Sequence, residues 1–409
     1  MPEHTDIGTT FGQRVRGLRE RRGMTRPVLG GLVGRSAEWV KAIETGRLAT
    51  PRLPLLLRLA DVLAVEDLAE LTGEERLAAA TYTKAAHPAL PAVTGALTSY
   101  HLDHGRDEEP APVGELLTRV AEAWRSWHSR GAHRTRIAAL LPDLLADVQY
   151  AARTLDGGER RQAQAALAEV YHLTQLFLSF QPVPELVILT GDRAMSAAQD
   201  ADSPRAIAGA AWYMNHVFRD AGERHEARVE LAMRAADLLA QDRDADAVAR
   251  WGLLQLAAAL SYAKVGRKGD AERFWDHADD AARRLGDDYT HPYLIFGRGM
   301  VDAYAITMRA DLVQGRAAVE AAEGVDVSGV PSVTRRAFHL VESARAYSME
   351  REPVAVVHLL GRAWELSPET VRFNLFARGA VADLSVRGGG LVRPDAEVLR
   401  RRMGVPVSA

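Results

Sequence analysis

The chain of 409 residues contains no cysteine. That excludes disulfides, thiolate metal sites and a cysteine nucleophile, and it suits a reducing compartment. Lysine is nearly as scarce, with Lys41, Lys84, Lys264 and Lys268 the only four among 51 basic residues. Arginine in place of lysine, together with abundant alanine, points to a GC-rich genome. Long apolar runs are missing too. The most apolar helical stretch, WGLLQLAAALSYA, is too short to span a bilayer and carries Gln255, so no membrane segment is expected. The opening MPEHTDIGTT has neither a basic start nor an apolar stretch, and the expectation is a cytoplasmic protein without a secretory signal. No GxxxxGK[ST], GxGxxG after a strand, HExxH or GxSxG occurs, so neither enzyme activity nor a cofactor is expected. Gly297-Arg-Gly299 and Gly388–Gly390 are isolated glycines without a strand–helix context. His101 and His104, in HLDH, have no further ligands at matching spacing, so no metal site is expected.

What is present is unevenly distributed. Positions 11–58 hold eleven basic residues against Glu20, Glu38 and Glu44, a net of +8, so with −3 overall the rest of the chain carries −11. A basic block on an acidic body is the electrostatic footprint of nucleic-acid contact. Within it, FGQRVRGLRERR places Phe11, Val15 and Leu18 on one helical face, closed by Gly23. Thr25 caps a second helix with Pro27 in its first turn. Gly30 and Gly31 inside that helix cost about 1 kcal/mol each against alanine, and close approach of another helix is a reason to keep a small residue there. That other helix is SAEWVKAIETG: Ser36 caps it, Val40 and Ile43 face inward, and Gly46 ends it. A run this short needs its neighbours to fold, which leaves its polar face available.

MTRPVLGGLVGRSAEWVKAIETG resembles the helix-turn-helix of the Cro/phage-repressor (XRE) family. The likeness extends through LLLRLADVLAVEDLAELTG, about positions 11–73, as a five-helix lambda-repressor-like module. The resemblance implies a double-stranded DNA operator, with the second helix of the pair in the major groove. It implies that Ser36 opens the reading helix and that Ala37, Glu38, Lys41 and Ala42 face the bases. There Glu38 would accept from cytosine and the alanines would meet thymine methyls. Two alanines make this readout thin. Arg26 matches a residue that contacts phosphate, and Arg35, Arg47 and Arg52 flank the reading helix in positions suited to phosphate or the minor groove. Arg19 and Glu44 match a structural salt bridge, and Trp39 a wedge beside the reading helix.

After a connecting segment at 74–114, rich in proline and glycine with the acidic run DEEP, positions 115–385 carry helical pattern nearly throughout. Aromatic anchors reveal a repeat. Tyr262 is followed by Ala271, Trp275 and Ala278; Phe218 by Ala227 and Leu231; Tyr347 by Val356, Leu360 and Ala363. The anchors lie 44 and 85 residues apart, giving a unit of about 43 with a degenerate repeat near Tyr304. These offsets resemble the tetratricopeptide (TPR) helix pair, although the unit is longer than that repeat and Asn215 stands where a small residue is usual. A TPR-like α-solenoid follows, and the fold class expected is all-α. The resemblance places Trp212, His216, Arg219, Leu253, Leu256, Leu260, Phe338, Val341 and Arg345 on the face that lines a concave groove, suited to a peptide or small amphipathic carboxylate. Residues 1–10 and 386–409 read as tails.

The combination resembles peptide-sensing regulators of Gram-positive bacteria and the TPR-bearing XRE regulators of actinobacteria. It implies a homodimeric, cytoplasmic transcriptional regulator with a peptide or small-molecule effector. The alternative is a protein-interaction adaptor whose groove holds a partner, with the N-terminal module as a docking element.

Overall fold

The computed structural model describes residues 10–51, 53–73, 84–100, 109–129, 131–219 and 225–406, with side chains 217–219 excepted. Arg52, His101 and His104 lie outside the described residues, as does the side chain of Arg219. Among the described residues every regular element is helical, and the all-α expectation holds.

The N-terminal module comprises α1 (Phe11–Arg21), α2 (Arg26–Leu32), α3 (Ala37–Glu44), α4 (Leu53–Leu63) and α5 (Leu68–Thr72). Local chemistry defines these short helices. Thr10 opens α1 with a capping box, its Oγ1 accepting from Gln13 N (3.3 Å) while Gln13 Oε1 accepts from Thr10 N (2.8 Å). Thr25 caps α2 and Ser36 caps α3, whose Trp39 N donates to Ser36 Oγ at 3.0 Å. Gly23, Gly34, Gly46 and Gly73 supply left-handed turns. The apolar residues converge on one small core containing Val15, Leu18, Leu29, Val33, Val40, Ile43, Leu56, Leu59, Leu63 and Leu71. Gly30 earns its place: a Cβ there would lie 2.7 Å from the Arg35 carbonyl oxygen, at the turn into α3. Gly31 has open space around it and no such reason. Gly12, unremarked in the sequence pattern, lets α1 pass against the backbone of Ile43 and Glu44.

The body continues as α6 (Leu90–Thr98), α7 (Val113–His128), α8 (His133–Thr154), α9 (Gly157–Leu178), α10 (Pro184–Asp200), α11 (Pro204–Arg219) and α12 (His225–Asp237). There follow α13 (Ala245–Lys264), α14 (Lys268–Leu285), α15 (Arg298–Asp311), α16 (Gly315–Gly324), α17 (Val333–Met349), α18 (Pro353–Leu366), α19 (Pro368–Phe373), α20 (Leu375–Arg387) and α21 (Arg393–Met403). Successive helices pack against one another in pairs, as a solenoid requires. Ala271 and Ala278 are fully buried beneath Tyr262, and Leu360 and Ala363 lie in one core with Tyr347. Asn215 links three helices instead of packing as a small residue. Its Nδ2 donates to Ala211 O (3.1 Å) and Arg228 O (3.2 Å), and Ser261 Oγ donates to its Oδ1 (3.2 Å).

The body extends beyond the span read from the pattern. Within the connecting segment, Leu90, Val93 and Leu97 of α6 are buried in the main core, and His87 N donates to Gln181 Oε1 at 2.7 Å. Beyond residue 385, α21 buries Ala396, Leu399 and Met403 against the last helices. The superhelix also curls until distant helices meet. His128 on α7 bonds Ser332 Oγ (2.8 Å) and Tyr293 O (2.9 Å), and Glu369 of α19 accepts from Arg134 N (2.6 Å) on α8.

Candidate nucleic-acid interface and its docking on the body

Helix α3 is held from three sides. Val40 and Ile43 anchor it in the module core, and Gly12 of α1 abuts its last turn. Its final carboxylate, Glu44, is almost wholly buried between Arg19 Nε (2.5 Å) and Arg26 Nε (2.7 Å). The hydrogen bond to Glu44 leads the effects that raise the Arg19 pKa. A buried carboxylate shared by two arginines fixes the angle between α1, α2 and α3, because removing one member strands the others. Arg26 is therefore held in place, yet about a third of its side chain (36%) remains exposed and can meet a phosphate without rearranging.

The remaining expected DNA-facing residues divide sharply. Glu38 and Lys41 project into solvent, 60% and 52% exposed, 3.7 Å apart. Ala37 is half-buried. Ala42 is 1% exposed and shares an apolar cluster with the body: Ile306 and Ala310 of α15, Val313 in the α15–α16 turn, Ala318 and Ala321 of α16, and Ala346 and Met349 of α17. Trp39 and Leu48 pack against both this cluster and the module core. At the start of α3, Ser36 sits so close to Gly266, in the α13–α14 turn, that a side chain at Gly266 would overlap it. Past its end, Arg47 Nη2 donates to the Val313 carbonyl at 3.0 Å. Arg35 is buried, donating to Gly34 O (2.9 Å) with its guanidinium 6.0 Å from the Trp39 ring. The face that the sequence offers to bases is thus half open and half seated on the solenoid. Nothing in the local sequence signals this seat, because the partner positions lie more than 200 residues away.

The groove residues fall elsewhere than on an open floor. Leu253, Leu256, Leu260 and Val341 are at most 1% exposed. Helix α13 is enclosed almost all round, so its apolar face is core; in sequence, core and groove floor have the same periodicity. Trp212 is buried edge-on to His216 (4.3 Å) and Tyr304 (6.2 Å). Phe338, His216 and Arg345 remain partly exposed, but Arg345 is already paired with Asp311 (2.8 Å) and Glu342 (2.6 Å). Aromatic residues the repeat pattern missed pack in and against the main core. Trp124 stacks on Tyr293 (5.5 Å) and on His128 (5.6 Å), and Tyr213 on His172 (4.5 Å). The tryptophans in AWRSWH were the available signal. Two surface depressions of about 680 and 690 Å³ lie between α18 and α21 and beside the α14–α15 loop, and none of the eight groove residues with described side chains lines either.

Residues 10–72 match the family model described as "Helix-turn-helix domain". The N-terminal module is a helix-turn-helix domain. No curated protein matches the chain. Among solved structures, Bacillus thuringiensis PlcR in complex with the peptide PapR7 and DNA is similar over 86% of this chain and 99% of that one, at 11% identity and a TM-score of 0.31. The helix-turn-helix spans under a fifth of the chain, and the body is characterised by its own helical pairs. Among the described residues no helix is long and apolar enough to cross a membrane, and no group of three His, Asp or Glu residues could hold a metal ion.

Proposed function

We propose that this chain is a sequence-specific DNA-binding transcriptional regulator, not an enzyme, whose helical-repeat body dimerises and senses a small ligand or peptide. The supporting observation is the matched helix-turn-helix domain, whose α3 carries Glu38 and Lys41 outward from a rigid apolar base within a strongly basic block. Phosphate contacts position such a domain, and base-edge contacts specify its site. Arg26 would serve the first role; Glu38 and Lys41 the second. A dimer would set two such helices about 34 Å apart on a two-fold operator. In the body, His216, Phe338 and Arg345 are the described groove residues that keep some surface to offer an effector. A carboxylate ligand would have to displace Asp311 or Glu342 to reach Arg345.

Selection from a pool of randomised duplexes tests the reading. It is expected to return an inverted repeat protected in footprinting; a pool that stays random after repeated rounds would overturn it. Native mass spectrometry of the purified chain tests the rest, with a dimer and a co-purified small molecule or peptide as the expected species.

A further inference from the structure

We infer that the solenoid holds the reading helix in a DNA-excluding seat, so that operator binding requires α3 to leave the platform built by α15, α16 and α17. This rests on the DNA-binding reading above. Three contacts are spread along the whole helix: Ser36 against Gly266 at its N-terminal cap, Ala42 in the middle, and Arg47 on the Val313 carbonyl beyond its end. An α-helix entering a major groove about 12 Å wide places its N-terminal turn against the base edges, with sugar–phosphate walls on both flanks. The Gly266 turn stands at that N-terminal turn, and the platform occupies one of the flanks. Duplex and body therefore compete for one surface.

The competition also accounts for the thin reading face. Ala42 meets a platform whose own contact positions include Ala310, Ala318, Ala321 and Ala346. Small residues on both sides allow close approach, and any longer side chain at 42 would hold the helix off. Alanine at 42 is thus set by the seat on the body, whatever thymine methyl it meets on DNA. Among the described residues the seat is mostly apolar and includes the hydrogen bond from Arg47, which suits a reversible latch. A latch closed 99% of the time lowers apparent DNA affinity about 100-fold, and an effector that favours the open state restores it.

The absence of native cysteine makes a direct test available. In full-length Ser36→Cys/Gly266→Cys, oxidation is expected to close an intramolecular disulfide after the two positions ease apart to bridging distance. Binding to a fluorescein-labelled random-sequence duplex at low salt should then fall at least tenfold relative to the same protein reduced, and recover with reductant. Equal binding in the bridged and reduced states, or a bridge only between copies, would overturn the inference. Separately, Ala42→Gln is expected to bind the duplex at least tenfold more tightly than the parent chain, because it adds bulk without charge; unchanged or weaker binding would count against the latch. If neither the reduced double variant nor Ala42→Gln binds any duplex, the DNA-binding reading itself falls, and the latch with it.

Discussion

The module and the body are both helical, but they are specified in different ways. In the module, helices of 5 to 11 residues are bounded by side-chain caps at Thr10, Thr25, Ser36 and Asp67 and by left-handed glycines. In the body, helices of up to 22 residues such as α8 and α9 lack a side-chain cap and are stabilised along their length by burial against neighbours. Short helices need local chemistry to define their ends, whereas long ones are held by packing. The module should therefore be sensitive at single polar residues, and the body at buried apolar ones.

The largest effect belongs to the module. Glu44→Ala leaves Arg19 buried without its carboxylate, and the expected loss is about 3–5 kcal/mol. Hydrogen exchange should show α1–α3 opening while α13 stays protected; loss of protection in both regions at once would mean that the two do not behave as separate units. Of similar size in the body, Leu256→Ala should cost about 2–5 kcal/mol in denaturant unfolding as a core deletion. A cost under about 1 kcal/mol would restore Leu256 to an open groove floor.

Acid should also strike the body first. Burial holds His128 and His339 neutral, each with its pKa lowered to about 3. Their folded pKa lies below the unfolded value, so the stabilisation is complete above about pH 6.5 and is lost as pH falls from there towards 3. At pH 5 the loss is about 2 kcal/mol per histidine. The described residues of the module contain no histidine, so the body's transition should move further between pH 7 and 5 in calorimetry. On DNA, Lys41→Ala with Glu38→Gln should cost about 1–3 kcal/mol of discrimination against altered sites, while Arg26→Ala weakens all sequences alike. The smallest effects separate adjacent glycines. Gly31→Ala should stabilise by about 0.5–1 kcal/mol, since nothing opposes a Cβ there, and Gly30→Ala should destabilise because its Cβ meets the Arg35 carbonyl.

How much could be read from the sequence follows the same division. Cap, turn glycine and inward Val40 and Ile43 lie within a few residues of one another, so the helix-turn-helix was legible, while the Arg19–Glu44 pair, 25 residues apart, was implied only by the family resemblance. The Arg26 bond to Glu44 was hidden because an arginine opening a helix next to DNA already has a reason to be there. In the body, the aromatic–alanine offsets revealed the repeat, but not which apolar face is enclosed. Whether Leu253–Leu260 line a groove depends on how far the solenoid curls, and that curl is set by distant meetings such as His128 with Ser332. The seat of Ala42 on α15–α17 was invisible for the same reason, since an exposed alanine and a docked one read identically.

Salt dependence of duplex binding probes the DNA claim most directly. For the full chain on a selected operator between about 50 and 200 mM salt, log K against log salt should have a slope of about −4 or steeper, as several neutralised phosphates require. A slope near zero would contradict a phosphate-gripping helix-turn-helix, and with it the regulator proposed here.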